Sequence, residues 1–167
     1  MLYWTTFSHR DGWEFVIAAS SKGLCFTGSE GQNEQEFFNW VRKHRPNEIW
    51  EHNSQKLKPY LNMFEQYFNG EIQQVNMPLD VLGTPFQLKV WEALLKIPFG
   101  VTISYSDVAN IIDNPKAVRA VGRAIGANPV MIAIPCHRII GKNGTLTGFR
   151  GGLNLKQKLL RFEEIGK

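Results

Sequence analysis

The chain has 167 residues, 43% hydrophobic and 20% charged, which fits a folded globular protein and excludes a disordered or fibrous one. No apolar run approaches the length of a membrane span, and MLYWTTFSHRDGW lacks the basic-then-apolar order of a signal peptide, so a cytoplasmic location is expected. The formal charge of +4 is unevenly spread: residues 1–83 carry seven Lys/Arg against ten Asp/Glu, net −3, and residues 84–167 carry twelve against five, net +7. Such a split suggests that the second half meets a polyanion, most plausibly nucleic acid.

From residue 2 to 28 the segments LYWTTFSH, WEFVIAAS and GLCFTG, rich in β-branched and aromatic residues, are separated by Arg10-Asp11-Gly12 and Ser21-Lys22-Gly23. Turn signals between such segments predict a small antiparallel sheet. NEQEFFNWVRKH (33–44) and QKLKPYLNMFEQYF (55–68) read as helices, the second with Pro59 near its first turn, and a short extended piece is expected near 72–82. Gly83-Thr84-Pro85 marks a break, giving an N-terminal domain over 1–82 and a second domain over 83–167.

After the break, Thr84 can cap and Pro85 can open a helix, FQLKVWEALLKI, which Pro98-Phe99-Gly100 ends. Ser104 with Asp107 three residues on predicts the start of a short helix through Ile112. Asp113-Asn114-Pro115 closes that helix and begins another, PKAVRAVGRAIGA, over 115–127. At ~100° per residue its Lys116, Arg119 and Arg123 share one side and Val118, Val121 and Ile125 the other, with alanines 117, 120, 124 and 127 beside the basic strip. Two short helices joined by a turn, the second basic outward, make a helix-turn-helix candidate. Alanine and glycine read few base edges, so phosphate contacts and weak sequence dependence are expected. The second half reads as all-α up to the loop before a last helix, LKQKLLRFEEI.

Chemistry concentrates in IPCHRI, residues 134–139. A cysteine turns nucleophilic when a nearby His, Arg or helix amide stabilises its thiolate, and Cys136 has His137 and Arg138 beside it. Neighbours in an extended segment point to opposite faces, so either Pro135 bends the chain or a water carries the proton between Cys136 and His137. A carboxylate is needed to hold the histidine, and Glu163, on the flank of the apolar face Leu155, Leu159, Phe162, is the better candidate, since Glu164 points away. Cys25, inside a strand without a titratable neighbour, reads as a buried small hydrophobe, and both thiols are expected to be free. His9, His44, His52 and His137 show no metal-ligand spacing with either cysteine or with each other, so no metal site is predicted. On the residues alone Cys136 reads as a nucleophile beside a DNA-binding helix pair, and a helix-turn-helix regulator and a cysteine hydrolase both stand as readings.

In order along the second half, GTPFQ (83–87), VW (90–91), IPFG (97–100), SY (104–105), NPKAVRAVG (114–122), NPV (128–130), IPCHRII (134–140) and LTGF-GGL-K-LL-E (146–163) resemble the O6-alkylguanine-DNA alkyltransferases. The resemblance implies an RNase H-like sheet with helices in the first domain and an all-α, winged-helix-like DNA-binding domain with a helix-turn-helix in the second. It implies a single-turnover reaction in which Cys136 keeps an alkyl group taken from guanine O6 of a nucleotide flipped out of double-stranded DNA. O4-alkylthymine is a further substrate that the family suggests. His137 would act through a water as base, Glu163 would orient it, Tyr105 would help rotate the nucleotide and stabilise the leaving guanine, and Asn128 would brace the reactive loop. Arg119 would enter the base stack, with Lys116, Ala120 and Arg123 also on the DNA side. The base would be bounded by backbone of Cys136, Ile139 and Arg150 and by the ring of Phe149, with Met131 near the pocket wall. The lesion is the donor, so no cofactor is implied, and the working form is expected to be a monomer. Phe149 stands in place of the usual tyrosine, Phe99 likewise lacks a hydroxyl, and Met131 stands where proline is frequent. The family's inactive lesion-binding relatives carry tryptophan at the acceptor position, where this chain has Cys136.

Overall fold

A computed structural model describes residues 1–31 and 33–167 and divides the chain into two compact units, Met1–Val81 and Leu82–Lys167. Among the described residues no helix is long and apolar enough to cross a membrane.

The first unit is built on a four-stranded sheet of β1 (Leu2–Ser8), β2 (Glu14–Ala19), β3 (Leu24–Thr27) and β4 (Trp50–His52) in the order β3-β2-β1-β4. The first three strands pair antiparallel, as their turn signals predict. The fourth makes the sheet mixed: β4 runs parallel to β1, with Leu2 opposite Trp50 and Trp4 opposite His52. Three residues are too few to show a period, so WEH is silent as sequence. The crossover helix α1 (Glu34–His44) returns the chain to the far edge of the sheet and makes the parallel pairing possible.

Alternation along β1 divides the core between the sheet faces. Leu2 and Trp4 join Val16, Ala18, Phe26, Phe37 and Val41 under α1. Phe7, on the other face, packs with Phe15 and with Phe64 and Phe68 of α2 (Lys58–Phe68), where Pro59 occupies the first turn. The extended piece expected near 72–82 forms no strand; its contact with the sheet is a single bridge from Leu79 to Leu24. Gly23 permits that approach, because a Cβ there would lie 2.5 Å from the Pro78 carbonyl carbon. Asp80 then fixes the segment by accepting from the Ser20 hydroxyl at 2.5 Å and from Arg45 at 3.1 Å.

The second unit begins with α3 (Pro85–Leu94), whose Thr84 and Gln87 form a reciprocal capping box. Ser104 and Asp107 do the same for α4 (Tyr105–Ile111). Asp113, in the left-handed region at φ 58°, turns the chain toward α5 (Val118–Gly126). The expected helix over 115–127 is therefore shorter: Pro115, Lys116 and Ala117 belong to a turn closed by Ala117 N–H donating to the Asn114 carbonyl. Nor is the alanine strip uniform, since Ala124 is buried beside α3, where the Trp91 indole N–H donates to its carbonyl at 2.8 Å. The unit is not wholly α. β5 (Ile103–Ser104) and β6 (Ile139–Ile140) pair in parallel, Ile103 opposite Ile139, and tie the start of α4 to the segment just after the cysteine. The last helix, α6, runs from Leu153 to Gly166.

Candidate functional site

The reactive loop is a buried segment, every residue from Asn128 to Ile139 being shielded from solvent. Two tight three-residue turns shape it. Ala133 N–H donates to the Met131 carbonyl at 3.0 Å around Ile132, which is held at φ 76°. Cys136 N–H donates to the Ile134 carbonyl at 2.7 Å around Pro135, at φ −79° and ψ 63°. A β-branched residue at positive φ is strained and persists only where its surroundings over-determine it. Asn128 supplies that determination: its carbonyl oxygen accepts from Val130 N–H at 2.9 Å and its amide donates to the Ile134 carbonyl at 3.0 Å.

Beyond Pro135 the residues Cys136–Arg138 form one 3₁₀ turn rather than an extended segment. Of the two alternatives, the bend at Pro135 is what the backbone shows, and 3₁₀ side chains then step by about 120°. The thiol is 2% exposed and His137 is fully buried. His137 Nε2 lies 2.8 Å from Glu163 Oε2, while among the described residues its buried Nδ1 has no hydrogen-bond partner. Glu163, on α6, is the carboxylate that the helical phase of the sequence predicts.

Arg138 has a role that adjacency to the cysteine concealed. Its Nε and Nη2 donate to the two oxygens of Glu163, each at 2.8 Å, and its Nη1 donates to the Ile97 carbonyl at 2.6 Å. Gly100 N–H reaches Glu163 Oε1 at 3.3 Å. The Phe99 ring lies 5.9 Å from the Arg138 guanidinium carbon, so a side chain lacking a hydroxyl still packs against the network. Arg138 donates to both oxygens of Glu163, so the carboxylate serves as acceptor for the Nε2 proton and His137 is left with an unprotonated Nδ1. Burial lowers the pKa of His137, more than Glu163 restores it, so the imidazole rests neutral. Burial likewise raises that of Cys136, against the Asn128 side chain and the charges of Arg150 and Lys156, so the resting sulfur is a thiol.

Tyr105, at the start of α4, stands where a Cβ added at Gly122 of α5 would meet its ring at 3.9 Å, and its hydroxyl donates to the Thr147 carbonyl at 3.2 Å. Lys156, buried on α6, donates to the same carbonyl at 3.0 Å, with its Nζ 5.9 Å from the Tyr105 ring. Sequence reading missed Lys156, although it lies seven residues before Glu163 and so on the same flank of the helix. Met131 and Ile139 are buried, and Phe149 and Arg150 are half-buried on the segment leading into α6. Phe149 and Met131 converge at Gly151, where an added Cβ would stand 3.1 Å from both Phe149 Cε1 and Met131 Sδ. Of the residues assigned to DNA, Arg119 and Arg123 are exposed on α5 and Ala120 is half-buried there; Lys116 is exposed in the preceding turn. The structure thus brings Cys136, His137, Glu163 and Asn128 into one buried network. Two clefts of this unit, of about 450 and 210 Å³, lie beside β5 and β6, and Cys136 lines neither. Among the described residues no group of three or more His, Cys, Asp or Glu could hold a metal ion.

Residues 85–165 match the family profile described as 6-O-methylguanine DNA methyltransferase, DNA binding domain, and residues 2–81 match its ribonuclease-like domain. The chain is 50% identical over 163 residues to the inducible methylated-DNA–protein-cysteine methyltransferase of Bacillus subtilis, covering 98% of this chain and 90% of that one. It is 42% identical to the methylated-DNA–protein-cysteine methyltransferase of Haemophilus influenzae, over 98% and 87% of the two chains. Among solved structures, Mycobacterium tuberculosis OGT in complex with DNA superposes with a TM-score of 0.82 at 35% identity, over 98% of this chain and 94% of that one.

Proposed function

The chain belongs to the 6-O-methylguanine DNA methyltransferase family, and from the network around Cys136 we infer that it repairs alkylated DNA by taking the alkyl group onto that thiol. The activity is that of a methylated-DNA–protein-cysteine methyltransferase. The observation that carries the assignment of the acceptor is the buried His137–Glu163 pair on the same turn as the buried Cys136, with the Nδ1 of His137 the nitrogen left to receive a proton.

The sulfur–carbon bond forms as the carbon–O6 bond breaks. The electron pair of that bond goes to guanine, which regains its keto form on taking up one proton, and the thiol gives up one proton through a water to His137 Nδ1. The sum is a thiol and an alkylguanine converted to a thioether and guanine, with no redox change and no cofactor. Glu163 orients His137 and stabilises it once protonated; Arg138 prevents Glu163 from taking the proton itself. Asn128 braces the loop that presents the sulfur, and Tyr105 guides the nucleotide and supports the leaving base.

The partner is double-stranded DNA carrying O6-alkylguanine, held with little sequence preference by Lys116, Ala120 and Arg123, and O4-alkylthymine is a second lesion to test. Arg119 fills the gap that the flipped nucleotide leaves. Met131, Ile139, Phe149 and Arg150 bound the pocket. The protein works in the cytoplasm as a monomer. The deciding experiment mixes it with a duplex bearing O6-methylguanine and measures peptide mass. One methyl on the Cys136 peptide, at most one lesion removed per molecule and no repair by Cys136→Ala are expected; catalytic turnover would overturn the assignment.

A further inference from the structure

The charges around Cys136 do not contribute equally. On the 3₁₀ turn, Arg138 is spent on Glu163 through two bonds of 2.8 Å, so this pair brings no net charge, and burial keeps His137 neutral. On α6, Lys156 donates to the Thr147 carbonyl, and burial lowers its pKa, which weakens its hold on a proton. Arg150, from the segment before α6, keeps its charge at every pH the protein meets. Its Nε donates to the Asn128 carbonyl at 3.0 Å and its Nη2 to the Pro129 carbonyl at 3.1 Å.

Those two carbonyls lie just past the C-terminal end of α5, where unsatisfied acceptors and the negative end of the helix dipole favour a cation. The same Asn128 braces the loop through Val130 and Ile134 and, like the Arg150 charge, favours the ionised form of the thiol. The guanidinium is therefore anchored on the residue that fixes the position of the sulfur.

We propose that the Arg150 side chain is a positioning residue for alkyl transfer: clamped on the Asn128 and Pro129 carbonyls, it supplies the standing positive charge beneath which Cys136 reacts as thiolate. This rests on the reading of Cys136 as acceptor. It gives the side chain a role beyond bounding the pocket, and it separates two duties, His137 removing the proton and Arg150 stabilising the anion that remains.

The test measures the rate at which iodoacetamide, a small neutral electrophile, alkylates Cys136 between about pH 7 and 11.5, followed on the Cys136 peptide so that Cys25 does not interfere. Arg150→Gln keeps hydrogen-bond donors and loses the charge. Its midpoint should rise by about one pH unit, with alkylation roughly tenfold slower at neutral pH. Arg150→Lys keeps the charge and loses the two-carbonyl fork, so its midpoint should stay within about 0.3 of wild type. An unmoved midpoint in folded Arg150→Gln overturns the proposal. So does an equal upward shift in both variants, which marks a structural role. Thermal melting shows whether Arg150→Gln folds; if it does not, Arg150→Lys decides, and a midpoint raised by about one unit there is fatal. Wild-type transfer from the O6-methylguanine duplex is run alongside. Failure of that transfer refutes the acceptor reading, whereas transfer with unmoved midpoints refutes only the role of Arg150.

Discussion

Arg138 and Glu163 face each other fork to fork inside the second unit, both almost fully buried, and His137 shares one of the two carboxylate oxygens. Two opposite charges taken from water together are tolerable, and one alone is not. Arg138→Met should therefore destabilise the protein by roughly 3–5 kcal/mol, as expected for breaking a buried pair. The double variant Arg138→Met, Glu163→Leu should lose clearly less than the sum of the single changes. Urea unfolding of the three variants measures this, and strict additivity would contradict the coupling.

Arg119 projects from α5 without a part in the buried network. If it replaces the flipped nucleotide in the stack, Arg119→Ala should slow repair in a duplex on the order of tenfold or more, since unstacking costs a few kcal/mol. Transfer from the free O6-methylguanine base should change by less than about twofold, because no stack has to be opened. Equal losses on the two substrates would assign Arg119 to the chemistry instead.

Binding to DNA should depend on salt more than on sequence. With Lys116 and Arg123 as phosphate partners, the logarithm of the association constant should fall against log salt with a slope of roughly −2. Arg123→Ala should reduce that slope by about one and weaken binding evenly across sequences. Fluorescence anisotropy on two unrelated duplexes reads both quantities, and a strong preference for one of them would point to base-edge reading.

Alkali should weaken the fold through its thiols. Burial pushes Cys25 up to about 12 and raises Cys136, whereas an unfolded chain ionises both near 9.0. Above pH 9 the folded state then holds more protons than the unfolded one, so stability falls as pH rises from 9 toward 12. On the acid side burial lowers His137, so the unfolded chain gains a proton first and stability falls as pH drops below 6.5. Melting temperatures across this range should show a plateau between the two limbs, and Cys25→Ala should flatten the alkaline limb.

How much of this was legible in the sequence depended on how far each signal reaches along the chain. The helix start at Ser104 was readable because its partner Asp107 sits three residues on, and that at Thr84 because the cap is followed at once by Pro85. Glu163 was readable because helical phase relates it to Leu155, Leu159 and Phe162. β4 was not, since its partner β1 is nearly fifty residues away and its own three residues carry no pattern. Arg138 was misjudged as a neighbour of the thiol because local order does not reveal where a side chain on a 3₁₀ turn points; the carboxylate that claims it lies twenty-five residues on. The turn at Ile132 was invisible for a different reason: nothing in isoleucine announces positive φ, and the Asn128 brace and the backbone bonds across the turn hold it from outside the residue.

That turn gives the protein an unusual relation to its own improvement. A glycine at position 132 would adopt φ 76° without strain, yet it would give up a buried side chain and add freedom to the unfolded chain, so the melting temperature would fall rather than rise. The same exchange would remove the side chain that fills the core beside the loop and would widen the range of shapes the loop can take. Packing and loop order therefore pull the same way at this one backbone angle, and the strain of Ile132 is the cost of holding the segment that leads to Cys136 in a single shape.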